Sequence, residues 1–268
     1  MSTIAITDQE FTQFQRFIHQ VAGISLSPAK KALVCGRLGK RLQKRGLRSY
    51  GEYFRLITSG QAQAELQTAV DLLTTNETFF FREAKHFDLL RAQALAARGG
   101  TQPFRVWSAA SSTGEEAYSI AMVLADCLED RAWEVFGSDI SARVLERARA
   151  GHYVLERTTH IPQPYLKRFC LKGVGSQEGS LLIDRSLRER VRFDRINLNA
   201  TLPRIGAFDV IFLRNVMIYF DADTKRQVVA RLLSVLKPEG YFLVGHSESL
   251  NGISDAVESL APAIYRKR

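Results

Sequence analysis

The sequence predicts two folded units: a small all-helical domain over residues 1–75, and an α/β domain over residues 103–268 that carries a small inserted antiparallel β subdomain at about 152–195. The first unit is read from apolar residues at helical spacing with no β-rich run. The second is read from short apolar runs of strand length that alternate with helical stretches, the pattern of an open parallel sheet covered on both faces. The insert is read from the one break in that alternation, a glycine-rich stretch followed by strand-like residues. Residues 76–102 link the two units.

In the helical unit, Phe11, Phe14, Phe17, Ile18 and Val21 form one apolar stripe. Thr7 is placed to cap that helix, Asp8 and Glu10 stand in its first turn, and Gly23 ends it. A second helix starts after Pro28 and runs to about Arg45, where Gly46 breaks it; YGEYFRLI and AELQTAVDLL read as two more. In the α/β unit, FRVWSA, EVFGSDI, DVIFLRN and YFLVGHS are the strands. EEAYSIAMVLADCLED and DTKRQVVARLLSVLKPEG are helical stretches between them. LKGVGSQEG followed by GSLLIDRSLRERVRF predicts extra antiparallel strands, with SLLID offering a free sheet edge.

The 268 residues are 46% hydrophobic and 24% charged, ordinary values for a soluble globular protein. No apolar run approaches the ~20 residues of a membrane span, and the N-terminus lacks the basic and apolar regions of a signal peptide. Cys35, Cys127 and Cys170 lie far apart without a CxxC and read as reduced cytoplasmic thiols. No pair among the five histidines has metal-ligand spacing, so no metal is expected. The net charge of +9 suggests an acidic partner. Eight basic residues and no acidic one lie between Pro28 and Arg48. Lys30, Arg37, Arg41 and Lys44 fall within roughly 60° of one another on a helix, a stripe that reads either as a docking surface or as a solvated face.

Three strand ends bear on chemistry. In WSAASSTGEEAYS a strand ends near Ser108, Gly114 turns the chain and Glu115 opens a helix. Ligands of open α/β sheets bind at such carboxyl ends, and a single glycine here points to a ligand without a pyrophosphate; the alternative is a plain turn. In FGSDIS, Asp139 ends the next strand, where a carboxylate can accept both hydroxyls of a ribose or only cap the following helix. In FDVIFLRNVMIYFD, Arg214 and Asn215 follow the strand with Tyr219 just beyond, and Asn197–Leu198 are another edge pair. NETFFFREAKHF places three phenylalanines between Asn76 and Thr78 on one side and Arg82 and Glu83 on the other.

NETFFFRE, AASSTGEEAYS, SDIS, NVMIYFD, LKPEG and GHSE, in this order and spacing, resemble the chemotaxis receptor methyltransferase (CheR) family along nearly the whole chain. Ala117 and Leu213 depart from residues common in that family. The resemblance implies a Rossmann-like class I S-adenosylmethionine-dependent methyltransferase domain behind the helical one. It also implies transfer of methyl to glutamate carboxylates of methyl-accepting receptors, leaving S-adenosylhomocysteine. Cofactor contacts carry over to Asn76, Thr78, Arg82, Glu116, Asp139, Asn197, Leu198, Arg214 and Asn215, with Arg82 and Tyr219 beside the reacting methyl. The phenylalanines are expected in the interdomain core. Lys30, Arg37, Arg41 and Lys44 are expected to dock on the acidic methylation helices, and the β insert to capture a receptor's C-terminal peptide as an added strand. A cytoplasmic monomer recruited to membrane-bound receptors is expected, with no membrane insertion and no nucleic-acid partner. The chain contains no Pro-Pro of the amino-methylating (N/D/S)PP(Y/F) segment. A scaffold that has kept the fold without activity is the other reading, and it would be favoured by loss of Arg82, Asp139 or Tyr219, all of which are present.

Overall fold

A capping box starts the first helix, α1 (Asp8–Ala22): the Thr7 hydroxyl accepts from the Glu10 N–H and the Glu10 carboxylate accepts from the Thr7 N–H. The computed structural model containing it describes residues 4–128 and 131–268. Helix α2 (Lys31–Arg45) follows a 3-10 turn at Pro28–Lys30, and α3 (Tyr50–Thr58) and α4 (Gln63–Leu73) complete the helical domain. At its centre lies Glu65, only 2% exposed. Its carboxylate accepts two hydrogen bonds of 2.6 Å from Arg41, one of 2.7 Å from Arg45 Nε and one of 2.9 Å from the Tyr53 hydroxyl. The Arg41 bonds, against the opposing effect of burial, hold this carboxyl down to about 2.

This arrangement corrects the reading of the basic stripe. Arg41 belongs to a buried ion pair, and Arg37 donates to the carbonyls of Leu73 at 3.1 Å and Thr74 at 3.0 Å. Both guanidiniums hold α2 to α4 and its C-terminal extension. Lys30 and Lys44 remain exposed.

Beyond α4, the linker contains a helix that the sequence reading did not identify, α5 (Lys85–Ala96). Then come β1 (Phe104–Ser108), α6 (Glu115–Cys127), β2 (Trp133–Asp139) and α7 (Ala142–Ala150). Glu129 and Asp130, the last residues of the predicted α6 stretch, lie outside the described residues. The insert holds β3 (His152–Val154), α8 (Gln163–Phe169), β4 (Cys170–Lys172), β5 (Ser180–Ile183) and the short α9 (Arg185–Arg188). The chain then returns through β6 (Val191–Arg195), β7 (Phe208–Leu213), α10 (Ala222–Ser234), β8 (Leu236–Val244), β9 (Val257–Ala261) and β10 (Ile264–Lys267).

The main sheet has the order β6-β2-β1-β7-β8-β10-β9, parallel from β6 to β8 and antiparallel at β10 and β9. Strand order reverses between β1 and β7, which opens a crevice at their carboxyl ends. Two expectations about the insert are corrected. Val191–Arg195 is not antiparallel but forms the parallel edge strand beside β2. SLLID is not a free edge, because β5 is the middle strand of the order β3-β5-β4, and the free edges belong to β3 and β4.

Two apolar cores flank the sheet. One packs α5, α6 and the insert on one face through residues such as Leu90, Ile120, Tyr153 and Phe212. The other joins α10 and the opposite face to the helical domain, running without interruption from Phe14 and Leu38 to Trp107 and Phe242. The helical domain therefore shares its core with the sheet.

Removing one partner of a buried ion pair costs about 3–5 kcal/mol, since the other charge is left buried without a counter-ion. Arg41→Ala leaves Arg45 as the counter-ion of Glu65 and should therefore lose less than that in urea unfolding monitored by circular dichroism, whereas Arg41→Ala with Arg45→Ala should lose the full amount. The exposed Lys44→Glu should stay within about 0.5 kcal/mol of the unmutated chain.

Candidate active site

The loop after β1 is shaped by its turn. Gly114 has φ +96°, and a Cβ there would stand 2.9 Å from the Ala148 Cβ and 3.0 Å from the Tyr153 hydroxyl, so a side chain would meet both strain and overlap. The turn brings the Ser112 N–H to 3.0 Å from Asp139 Oδ2, while Ser141 N–H lies 2.9 Å from Oδ1. Helix α7 is capped by the Ser141 side chain rather than by Asp139. Burial pushes the Asp139 carboxyl up to about 6, although both backbone N–H groups work to lower it. Each carboxylate oxygen has one of its two lone pairs engaged, which leaves capacity for two further donors.

The opposite wall is NETFFFRE. Phe80 is fully buried with its ring 5.0 Å from that of Tyr153, and Phe81 stacks on Tyr165 at 5.6 Å. All three depart from the expected place in the interdomain core: Phe80 and Phe81 pack in the core of α5, α6 and the insert, and Phe79 is 38% exposed, lies against the cleft and carries the Arg82 guanidinium 5.5 Å above its ring. Phe81 and Glu83 adopt φ of 54° and 61°. This left-handed backbone, rare outside glycine, turns Glu83 inward to meet Arg214.

Arg214 is the hub of the wall. Its side chain is 2% exposed, with Nε 3.3 Å from Glu83 Oε2 and Nη1 3.3 Å from Glu116 Oε2, and Nη2 donates to the Arg82 carbonyl. Burial raises the Glu116 carboxyl while Arg214 and the Ser108 hydroxyl, at 2.6 Å, oppose it. Burial would raise Glu83 too, but Arg214 and neighbouring donors outweigh it and the net shift is downward. Beside them, burial and the charge of Arg214 lower His86 to about 4, which leaves it neutral.

The helical domain closes the cleft. The Ser25 N–H donates to the Tyr219 carbonyl at 2.7 Å, and Ile24 bridges to Phe220. His19 and Asp221 meet at 2.7 Å. Asp71 of α4 accepts from the Ala142 N–H at 3.1 Å, and Gln67 donates to the Ile140 carbonyl at 3.0 Å.

One cleft, about 930 Å³ when the adjoining open solvent is counted, is lined by Asn76, Thr78, Arg82, Glu116, Asp139 and Tyr219. It is also lined by Asn197, Leu198, Arg214 and Asn215. Side-chain roles within that set differ from the expectation at two positions. The Asn197 amide donates to the Val21 carbonyl at 2.6 Å and its Oδ1 accepts from Asn199 N–H at 2.9 Å, so its side chain ties the domains together. The Arg214 guanidinium supports the wall as described. The sequence reading noted Glu83 and Phe79 without giving them a place in the site, and passed over Ile140. It also passed over Glu248, whose carboxylate accepts the N–H groups of Gly245 at 2.6 Å and Asn215 at 2.7 Å and so fixes the loop after β7. The Glu in GHSE was its only visible signal.

Comparison with known proteins agrees with this geometry. Residues 76–265 match the CheR methyltransferase SAM-binding domain, and residues 9–74 match the CheR methyltransferase all-alpha domain. A chemotaxis protein methyltransferase of Escherichia coli is 44% identical over 267 residues, which is 98% of this chain and 92% of that protein. Chemotaxis protein methyltransferase 2 of Pseudomonas aeruginosa is 42% identical over 262 residues, 97% of this chain and 93% of that protein.

Arg214→Met leaves Glu83 and Glu116 buried without their shared counter-ion and should destabilise the fold by about 3–5 kcal/mol. Adding Glu83→Gln and Glu116→Gln to the same chain should recover part of the loss. Thermal unfolding of the single and triple variants checks this, and additive losses would contradict it.

Proposed function

The chain belongs to the CheR methyltransferase family, and from that premise we propose that it transfers methyl from S-adenosylmethionine to glutamate side chains of chemotaxis receptors, forming glutamyl methyl esters. The observation that supports this most is the pairing of two acids, the buried Asp139 and the half-buried Glu116, at separate positions of one cleft.

The residues present fit the cofactor. Asp139 keeps two free lone pairs for the ribose diol, and Ala109, Ile140, Leu198 and Phe220 provide apolar surface for a flat base. Glu116 faces the cleft as an anion partner for an ammonium group. Arg214 stands between two carboxylates and is balanced by them. A pocket of this charge suits a ligand with cationic groups and no phosphate. When bound, the cofactor supplies a methyl on a sulfonium, so that an O–C bond to the glutamate forms as the C–S bond breaks and its electron pair stays on sulfur.

The incoming glutamate is ionised at neutral pH, with an ordinary pKa near ~4.3, and so needs no general base. The protein's task is alignment and exclusion of water. Arg82, held above Phe79, can engage a carboxylate through its planar fork. Tyr219, whose backbone is fixed by Ser25, can place a hydroxyl beside the same group.

Docking of the acidic receptor helices is assigned to the exposed part of the basic stripe, Lys30 and Lys44. Capture of a receptor's C-terminal peptide is assigned to the free edge of β3 or β4. Among the described residues no helix is long and apolar enough to cross a membrane. The reading has a cytoplasmic monomer brought to the membrane by its receptors.

Transfer of labelled methyl to membranes carrying the same organism's receptors, with base-labile release of methanol, tests the reaction; no ester on any receptor would refute it. Asp139→Ala should weaken cofactor binding by the loss of two charge-assisted hydrogen bonds, at most roughly 1.5–3 kcal/mol each. Because the Asp139 carboxyl sits at about 6 and its ionised form accepts the diol, cofactor affinity should be full above that pH and fall as pH drops through it. Calorimetry across this range should show the slope in the unmutated chain and a flat profile in Asp139→Asn. Tyr219→Phe should lower turnover with little change in cofactor affinity, whereas Arg82→Ala should impair both, measured by steady-state kinetics and calorimetry. Lys44→Glu should raise the receptor KM at low salt and leave cofactor affinity unchanged; an unchanged KM would remove Lys44 from the docking surface.

A further inference from the structure

We propose that Glu83, His86 and His246 form a binding site for a divalent transition-metal ion of the zinc class, and that the bound metal inhibits the protein by drawing Glu83 away from Arg214. The site lies behind the NETFFFRE wall, and none of its three residues lines the cofactor cleft. Their donor atoms, one carboxylate oxygen and two imidazole nitrogens, all lie within 4.8 Å of one another. Glu83 Oε2 stands 3.4 Å from His86 Nδ1 and 4.0 Å from His246 Nε2. Ligands about 2.0–2.2 Å from a tetrahedral zinc stand roughly 3.3–3.5 Å apart, so His86 and Glu83 are already at that spacing. The His246 side chain, 56% exposed, can close the remaining gap by rotation.

A second observation points to a missing ligand. His86 is 0% exposed, yet neither of its ring nitrogens has a hydrogen-bond partner, whereas Glu83 Oε2 has its ion pair with Arg214. Buried polar atoms without partners are costly and uncommon, and a metal would engage His86 Nδ1 and Glu83 Oε2 together. Two imidazoles and one carboxylate suit zinc, copper or nickel, whereas magnesium and calcium prefer oxygen alone. The fold creates the site, since His246 is far from His86 in the chain, and histidine spacing in the sequence therefore gave no sign of it.

Arg214, with Nε 3.3 Å from Glu83 Oε2, opposes a cation here. Its second carboxylate, Glu116, lies 3.3 Å away on the other side and keeps a counter-ion beside it when Glu83 turns to the metal. Two carboxylates against one guanidinium leave the group with net negative charge to meet the ion. Arg214 also holds the Arg82 carbonyl, so a change at Glu83 reaches the cleft wall. This inhibitory consequence rests on the methyltransfer reading given above, whereas binding of the metal does not.

The test is calorimetric titration of zinc chloride into the full chain, with magnesium chloride in parallel. One zinc per chain is expected, with no comparable magnesium binding. His246→Gln should bind zinc at least about tenfold more weakly while keeping its thermal unfolding and cofactor affinity. His152→Gln, an exposed histidine outside the cluster, should bind zinc as the unmutated chain does. No zinc binding, equal binding by His246→Gln, or an equal loss in His152→Gln would overturn the site. In the methyl-transfer assay, zinc should slow the unmutated chain and spare His246→Gln; binding at the cluster without slowing would overturn the inhibitory role.

Discussion

The cleft depends on one buried cation. Arg214 sits at the end of β7, and its guanidinium binds the Glu83 carboxylate, the Glu116 carboxylate and the Arg82 carbonyl. These partners come from the interdomain linker and from α6, so three separate parts of the chain meet on one side chain. A buried ion group of this kind adds little net stability compared with apolar replacement of all its members together, because desolvation offsets most of the attraction. Its effect is geometric. It permits one arrangement of the wall, the one in which Phe81 and Glu83 take left-handed backbone and Arg82 between them lines the cleft.

The same logic explains why the helical domain is part of the site. Its core is continuous with one face of the sheet, so it cannot swing away without exposing apolar surface. Its polar contacts fall at cleft positions: Ser25 on Tyr219, Asp71 on the start of α7, and Asn197 reaching back to Val21. Asp71 also adds negative charge near Asp139 and contributes to its raised pKa, behind the dominant effect of burial. A residue of the helical domain thus tunes the acid that ends β2.

Much of this was legible in the sequence, and the exceptions have physical causes. Helices α1 to α4 and the parallel strands were readable because amphipathic spacing and apolar runs are local signals. Asp139 and the Gly114 turn were readable because strand ends in parallel sheets have fixed places. Helix α5 was missed although Phe87, Leu90 and Ala94 share a buried face. The aromatic block beside it drew the reading toward the cleft. Strand pairing was misjudged for β5 and β6, because which strand lies between which is decided by contacts distant in sequence. The hairpin of β9 and β10 was missed because both strands are short and β9 is largely exposed. Arg41 looked like a docking cation because Glu65, in a helix of ordinary composition, gives no sign of being buried beneath it. The pairing of His86 with His246 has the same origin.

Arg37 shows how a stripe residue can serve the site without touching receptor or cofactor. Its guanidinium binds the carbonyls of Leu73 and Thr74 and the hydroxyl of Thr75, the residues immediately before Asn76. The Ser112 hydroxyl then donates to the Asn76 carbonyl at 2.8 Å, joining this stretch to the turn that holds Asp139. Helix α2 is therefore fastened to the cleft wall by hydrogen bonds. In the reading proposed above, Lys44 lies on this helix near a receptor glutamate. The distance from docked receptor to reacting atoms is then set by rigid elements rather than by a linker. Methyl transfer without a general base relies on alignment, and a fixed spacing between docking helix and cleft is what alignment requires.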